Sequence, residues 1–251
     1  MLGSRRGERV VEDVHRGGPR MTSIAAGDLA HFRSMLDHVS TQTREALLSM
    51  VREHEVAQGQ VIAAEGSTVA EIGYVLEGAL GMIKMLPDDR QHIIGLLIPT
   101  DLFGRVYDGP LTYRITALSH SRLVTFPLAE FQALLDQDPE LERIFLVHLL
   151  DEMDAAREWL MMMNGLKVVE RVASFLIILA RRAGNGGEVA LPLGRKDLAH
   201  YLGARPESLS RAFRTLERMQ VIESLDAAAR RYRICNPKRL VQASGQDLVL
   251  D

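Results

Sequence analysis

Apolar positions along this chain change their period twice. From about Val56 to Phe126 they fall in short β-rich runs, QVIAAEG, EIGYVLEGALGMIKML, HIIGLLIP, YRITALS and RLVTFP, punctuated by Gly59, Gly66, Gly73, Gly78, Gly81, Gly95 and Gly104. Strands of this length between turn residues predict a small antiparallel barrel or roll. Asp88-Asp89, in a turn led by Pro87, reads as hairpin chemistry. Ala26 to His54 and Leu128 to Leu135 supply helices packed beside the roll.

The period then lengthens to that of a helix. One long helical pattern starts at Asp138-Pro139, with Asp138 as its N-cap, and runs to about Met163, where Asn164-Gly165 breaks it. Leu146, Leu149, Met153, Ala156, Leu160 and Met163 follow one another at spacings of 3, 4, 3, 4 and 3, the heptad spacing of a coiled-coil seam. Such a stripe packs either on its own roll or on a second copy of the chain.

Leu193 to Met219, LGRKDLAHYLGARPESLSRAFRTLERM, reads as two short helices around a glycine turn. The first runs from about Arg195 to Leu202, with Leu198, Ala199 and Leu202 facing inward, and Gly203 opens the turn. Pro206 starts the second, because proline's missing N–H costs nothing at the first helical position. Leu209, Phe213 and Leu216 face inward, leaving Glu207, Ser210, Arg211 and Arg214 outside. A second helix whose N-terminal outer face carries Glu, Ser and Arg is how a helix-turn-helix presents side chains to base edges in a major groove.

Charge supports that reading only when the chain is divided. From Leu166 to Leu240 there are 15 Lys and Arg against 7 Asp and Glu, net +8, whereas Met1 to Gly165 has 15 against 24, net −9. Asp247 and Asp251 complete the whole-chain −3. A basic module carrying a polyanion footprint is attached to an acidic one.

The length of 251 residues, 47% of them hydrophobic, suits two modest domains. The single cysteine, Cys235, is too few for an internal disulfide, a thiolate zinc site or an iron–sulfur cluster, and reads as an inert strand residue. No apolar run reaches the roughly 18 residues of a membrane span, since FLIILA stops at Arg181-Arg182. The arginine-rich start lacks the apolar core of a secretory signal. Residues 1–27 are expected to be a disordered extension, with Met21 an alternative start. G-x-S-x-G, P-loop, H-E-x-x-H and G-x-G-x-x-G motifs are missing, so an enzyme is not expected.

The order of roll, long helix and helix-turn-helix, together with GQVIAAEG, YVLEGALGM, LIPTDLFGR and ESLSR, resembles the cyclic-AMP receptor/fumarate-nitrate regulator (Crp/Fnr) family of bacterial transcription factors from about Leu29 onward. The resemblance implies an α+β chain. Residues 28–137 would form a cyclic-nucleotide-binding-like roll, a double-stranded β-helix; 138–164 a dimerisation helix; and 165–251 a winged helix-turn-helix. It further implies a cytoplasmic homodimer that binds double-stranded DNA and contacts RNA polymerase, usually as an activator. ESLSR matches the Fnr-like branch, so Glu207, Ser210 and Arg211 would read a TTGAT half-site of an inverted repeat, TTGAT-N4-ATCAA. VIESLDAAARRYRICN resembles the β-hairpin wing, with Arg230, Arg231 and Arg233 set for phosphate, and Lys196, Arg205 and Arg214 add backbone or flanking contacts. The heptad stripe would be the dimer interface.

Departures bear on the signal. Arg105 stands where cyclic-AMP binders have Glu, and Leu111-Thr112-Tyr113 where their Arg-Ser anchors phosphate, so a cyclic nucleotide is not expected. WLMMMNGLKVVERVASFLIILARR resembles the Fnr oxygen sensors, yet their cluster-binding cysteines are missing. Ala156 replaces an Asp that disfavours the apo dimer in those sensors, and Arg205 replaces a Ser or Thr helix cap. Arg105, Tyr113, His92 and His148 are the candidates for an effector pocket. Haem stays open, with His31, His38, His54, His92, His120 and His148 available and none in a haem-specific pattern; no metal site is expected. The alternative is a ligand- or haem-binding sensor module whose C-terminal helices act on a protein partner, against which the basic module and ESLSR argue.

Overall fold

The computed structural model describes residues 36–87, 91–107, 109–183 and 187–246. The expected extension over 1–27, Met21, His31 and the Asp88-Asp89 turn lie outside these residues. The chain divides into two compact units between Leu146 and Val147, within the longest helix of the described residues.

Among the described residues, the first unit begins with a 3-10 turn, Leu36–His38, and helix α1, Thr41–Met50. Eight strands follow among the described residues: β1 Arg52–Val56, β2 Val61–Ala63, β3 Glu71–Glu77, β4 Leu80–Met85, β5 Gln91–Leu97, β6 Leu102–Phe103, β7 Arg114–Ala117 and β8 Ser121–Pro127. They form two four-stranded antiparallel sheets, β1-β8-β3-β6 and β2-β7-β4-β5. Helix α2, Leu128–Gln137, and the first turns of α3, Pro139–Met163, complete the unit. The helical window expected up to His54 is therefore too long. Arg52 to Val56 pair with β8 instead, because β1 supplies the edge partner that β8 needs.

Val56, Val75, Leu80, Leu97, Ile115, Ala117 and Leu123 fill the space between the sheets. The opposite face of β3 and β8, through Ile72, Tyr74, Leu76, Val124 and Phe126, meets Leu47 of α1, Phe131 and Leu135 of α2, and Leu141 and Phe145 of α3. Both faces of β3 are covered, which is why its sequence runs apolar rather than alternating. Burial lifts the Tyr74 phenol well above its ordinary pKa, with the nearby Asp101 carboxylate adding to the shift.

The glycines do not all mark turns. Gly73 lies inside β3, where an added Cβ would run into the Phe103 ring. Its missing side chain lets an aromatic ring fill the narrow interior.

Asp138 caps α3 and joins it to α1. Its carboxylate accepts from Glu140 N at 3.0 Å and Leu141 N at 3.2 Å on one oxygen. The other oxygen accepts from Thr43 Oγ1 at 2.6 Å and Ser40 N at 3.3 Å. These donors, Thr43 foremost, hold the carboxyl below the usual range.

The turn between β5 and β6 is strained. Thr100 has φ +86°, and its N–H donates to Val75 O at 3.1 Å. A β-branched side chain is costly in that region of backbone space, and only glycine enters it freely. Thr100→Gly should therefore stabilise the chain by about 1 kcal/mol, the relieved strain less the entropy that glycine adds to the unfolded chain. Urea denaturation would read this as a higher midpoint at unchanged slope; an unchanged or lower midpoint would refute it.

In the second unit, α4, Val168–Ala183, is the central helix, burying Val172, Ala173, Phe175, Leu176 and Ile177. FLIILA is thus interior packing. No helix among the described residues is long and apolar enough to cross a membrane. Helix α5 (Arg195–Tyr201), helix α6 (Pro206–Arg218) and a three-stranded sheet of order β10-β11-β9 surround it. The strands are β9 Glu188–Ala190, β10 Ile222–Ser224 and β11 Arg231–Ile234. Cys235 lies one residue past β11 and is exposed, so the expected strand residue is a loop residue. A last helix, α7 Pro237–Ser244, starts where the Asn236 side chain accepts from Arg239 N at 3.0 Å.

Candidate nucleic-acid interface

The two-helix motif is assembled around one turn. Leu198, Ala199, Tyr201 and Leu202 are buried, and the chain then turns through Gly203 at φ +58°. A Cβ there would also meet Met163 Cε at 2.5 Å, so glycine serves both the turn and the close approach. Pro206 opens α6 as the spacing predicts. Arg205 occupies the cap position in an extended conformation, and its side chain makes no cap hydrogen bond.

Leu209, Ala212, Phe213 and Leu216 bury the inner face of α6; Ala212 is the member the sequence reading left out. Glu207, Arg211 and Arg214 are exposed on the other face, and Ser210 is half-buried. Ser210 Oγ donates to Pro206 O at 3.0 Å, which fixes its proton and leaves its oxygen free to accept. Arg211 Nη2 donates to Ser208 Oγ at 3.0 Å, drawing the guanidinium toward the N-terminal end of α6. Glu207 lies in the first turn, where its charge complements the helix dipole.

Behind this surface stands Arg195, a residue missing from the sequence-based candidates. Its guanidinium carbon sits 3.6 Å from the centroid of the Phe213 ring and 5.6 Å from that of Tyr232. Nη2 donates to Ala229 O at 3.2 Å and to the Tyr232 hydroxyl. Arg195 thereby joins the start of α5, the inner face of α6 and the β10–β11 turn. Burial raises the Tyr232 pKa and keeps the phenol protonated. The one local signal was a cation in the first turn of a helix, where the dipole disfavours it unless something else holds it.

Strands β10 and β11 form the hairpin expected of a wing, with Ile222 opposite Ile234. Asp226 accepts from Arg230 N at 2.9 Å and Arg231 N at 2.7 Å, and these bonds, Arg230's first, hold its carboxyl below the usual range. Arg231 pairs with Glu188 at 3.2 Å, and Arg233 with Glu188 at 3.2 Å and Glu223 at 3.4 Å. Exposed pairs of this kind are worth about 1 kcal/mol or less, so a phosphate can displace them. Arg230, Lys196 and Arg205 are exposed.

On α3, Leu146, Leu149, Met153, Ala156 and Leu160 are exposed. Leu150 and Met161, at 58% and 66% exposure, widen the apolar face beyond the heptad stripe. Met163 differs from its companions: it is half-buried, with its methyl group beside Gly203.

The effector-pocket candidates are scattered in character. Arg105 is exposed and donates from Nε to Tyr107 O at 3.2 Å; Tyr113 packs against the core between the sheets. His92 is exposed on edge strand β5, while His148 belongs to the second unit and lies 3.3 Å from Glu152. Of the other histidines, His54 Nε2 bonds Thr125 Oγ1 at 2.8 Å, and His38 and His120 are exposed. No group of three or more His, Cys, Asp or Glu side chains suited to a metal ion occurs among the described residues.

Comparison with known proteins matches residues 170–243 to the Crp-like helix-turn-helix domain and residues 53–138 to the cyclic nucleotide-binding domain. The transcriptional activator protein FnrL of Cereibacter sphaeroides is 30% identical over 211 residues, covering 80% of this chain and 84% of the relative. The nitrogen fixation regulation protein FixK of Bradyrhizobium diazoefficiens is 30% identical over 172 residues, covering 66% and 72%. The structure of FixK2 from Bradyrhizobium japonicum superposes with a TM-score of 0.71 at 25% identity, over 79% of this chain and 99% of that one.

Proposed function

This chain belongs to the Crp/Fnr family of DNA-binding transcriptional regulators, and from that premise we propose that it reads a TTGAT-N4-ATCAA-like inverted repeat as a homodimer and activates transcription through RNA polymerase. The family consists of transcription factors rather than enzymes. The observation that carries the proposal is the outer face of α6. Glu207, Ser210 and Arg211 stand there together over a buried apolar face, on a module of net charge +8. Arg211 bonds guanine O6 and N7, Glu207 accepts from cytosine N4, and Ser210 Oγ, its proton held by Pro206 O, accepts from a neighbouring base. Arg205, Arg214, Lys196, Arg230 and Arg231 hold the backbone or flanking bases, which sets register without reading sequence.

The dimer forms along α3 through Leu146, Leu149, Met153, Ala156 and Leu160, leaving Met163 to its own protomer. Exposed apolar side chains at this density call for a partner. Alanine at 156 places no like charges across the axis, so the dimer assembles without a metal cofactor. The finer division into a 28–137 sensor, a 138–164 dimerisation helix and a 165–251 reader, and an effector site using Arg105, Tyr113, His92 or His148, belong to the same proposal.

Selection of bound duplexes from random DNA should enrich an inverted repeat whose half-site centres lie about nine base pairs, roughly 31 Å, apart, close to one turn of the duplex. Enrichment of a single unrepeated half-site, or sedimentation as a monomer at micromolar concentration, would overturn the proposal.

A further inference from the structure

Trp159, the one tryptophan of the chain, sits near the C-terminal end of α3 and is half-buried. Its ring lies 5.8 Å from Tyr201, the last residue of α5, at an interplanar angle of 32°. Tyr201 in turn meets Phe175 of α4 edge-on at 5.8 Å. One turn further along α3, Met163 fills the space that Gly203 leaves. Arg171 of α4 closes the arrangement, donating from Nη1 to Leu202 O at 3.0 Å and Gly203 O at 3.3 Å, and from Nε to Leu166 O at 3.1 Å. The last turn of α3, the link that follows it and the turn of the helix-turn-helix are thus gripped together at three points, even though Asn164-Gly165 interrupts the helix between them.

We infer that Trp159, packed against Tyr201, is a positioning residue that fixes the angle of the recognition helix to the long helix and so sets the half-site spacing the protein accepts. The inference rests on the homodimer proposed above, in which the α3 helices of two protomers define the axis. Each inserted base pair turns one half-site by about 35° and moves it about 3.4 Å, so a reader held at a fixed angle rejects the displaced site. A reader that swings on Asn164-Gly165 tolerates it. Trp159 packs on Tyr201 and is not among the residues assigned to the bases, so loosening it leaves base preference within a half-site intact.

Cys235 is the single cysteine and is exposed on the reader unit, so the full-length chain takes one spin label per protomer without further engineering. Double electron–electron resonance on the free protein should give a narrow distance distribution between the two labels. Trp159→Ala should broaden it, and Trp159→Phe, which keeps an aromatic ring on Tyr201, should not. Met163→Ala loosens the neighbouring contact and serves as a second broadened variant, with circular dichroism and sedimentation showing which variants remain folded dimers.

On duplexes with N3, N4 and N5 spacers, Trp159→Ala should reduce the preference for N4 by about tenfold while keeping the preference for TTGAT over a scrambled half-site. Unchanged distance distributions and spacing preference in both alanine variants would overturn the inference. A native chain with no dipolar signal would remove the dimer, and the inference with it. A native chain with a narrow distribution but no preference for TTGAT would refute the half-site alone, because the distance measurement involves no DNA.

Discussion

Arg211→Ala should weaken binding to a TTGAT-N4-ATCAA duplex by about 1–3 kcal/mol per recognition helix, roughly 5- to 150-fold, and leave binding to a random duplex nearly unchanged. The guanidinium lies on the exposed face of α6, where it donates to Ser208 Oγ, so truncation removes the proposed base contact without opening the core. The loss should be concentrated at one guanine of the half-site. Replacing that guanine should cost the native protein what the substitution costs, and should cost the variant little more. Arg211→Lys should recover little, because an ammonium lacks the planar pair of donors that matches O6 and N7. Anisotropy titrations of the four combinations form a double-mutant cycle; equal losses on specific and random DNA would refute the assignment.

Asp138→Ala should destabilise the first unit by about 2–4 kcal/mol, since it removes a helix cap worth about 1 kcal/mol and strands the hydroxyl of the buried Thr43. Asp138→Asn should keep part of the cap and lose less. The contribution also depends on pH in a definite sense. Because the folded carboxyl titrates below its unfolded value, its stabilisation is fully present above the ordinary carboxylate pKa of about 4 and is lost as pH falls through the lowered folded value. Urea midpoints of native and alanine chains should therefore differ most near neutral pH and converge in acid. A constant difference down to the lowest workable pH would contradict the role given to Asp138.

Much of this architecture was readable from local chemistry. Pro206 at the start of α6, Gly203 at the turn and Asp138 at the head of α3 are residues whose backbone or side-chain requirements act within a few positions, and the structure places each at the boundary it announced. The inward Leu198, Leu209, Phe213 and Leu216 followed from a 3.6-residue period that tertiary packing did not override. The glycines of the roll were harder. Gly73 looks like a turn residue in sequence, and its use as a space for Phe103 depends on a strand 30 residues away.

The same limit hid the supports of the candidate interface. Arg195 reaches Ala229 and Tyr232 across 34 and 37 positions, Arg171 reaches Leu202 across 31, and Trp159 finds Tyr201 only once α5 has folded back on α3. Pairings of this range leave no periodic trace. The residues exposed on the outer face of α6 were therefore legible, while the residues that hold that helix in place were not. Met163 shows the boundary between the two. Its heptad position assigned it to the seam, while the space left by Gly203 takes its methyl group and leaves the side chain half-buried.

The central claim is tested most directly by fluorescence anisotropy of the purified chain, with no effector added, on TTGAT-N4-ATCAA and on a scrambled duplex at about 0.15 M salt. Binding to the inverted repeat should be tighter by about 10³-fold or more, the margin that separates specific from non-specific recognition at such salt. Equal affinity for the two duplexes from a chain that sediments as a dimer would contradict the reading of Glu207, Ser210 and Arg211.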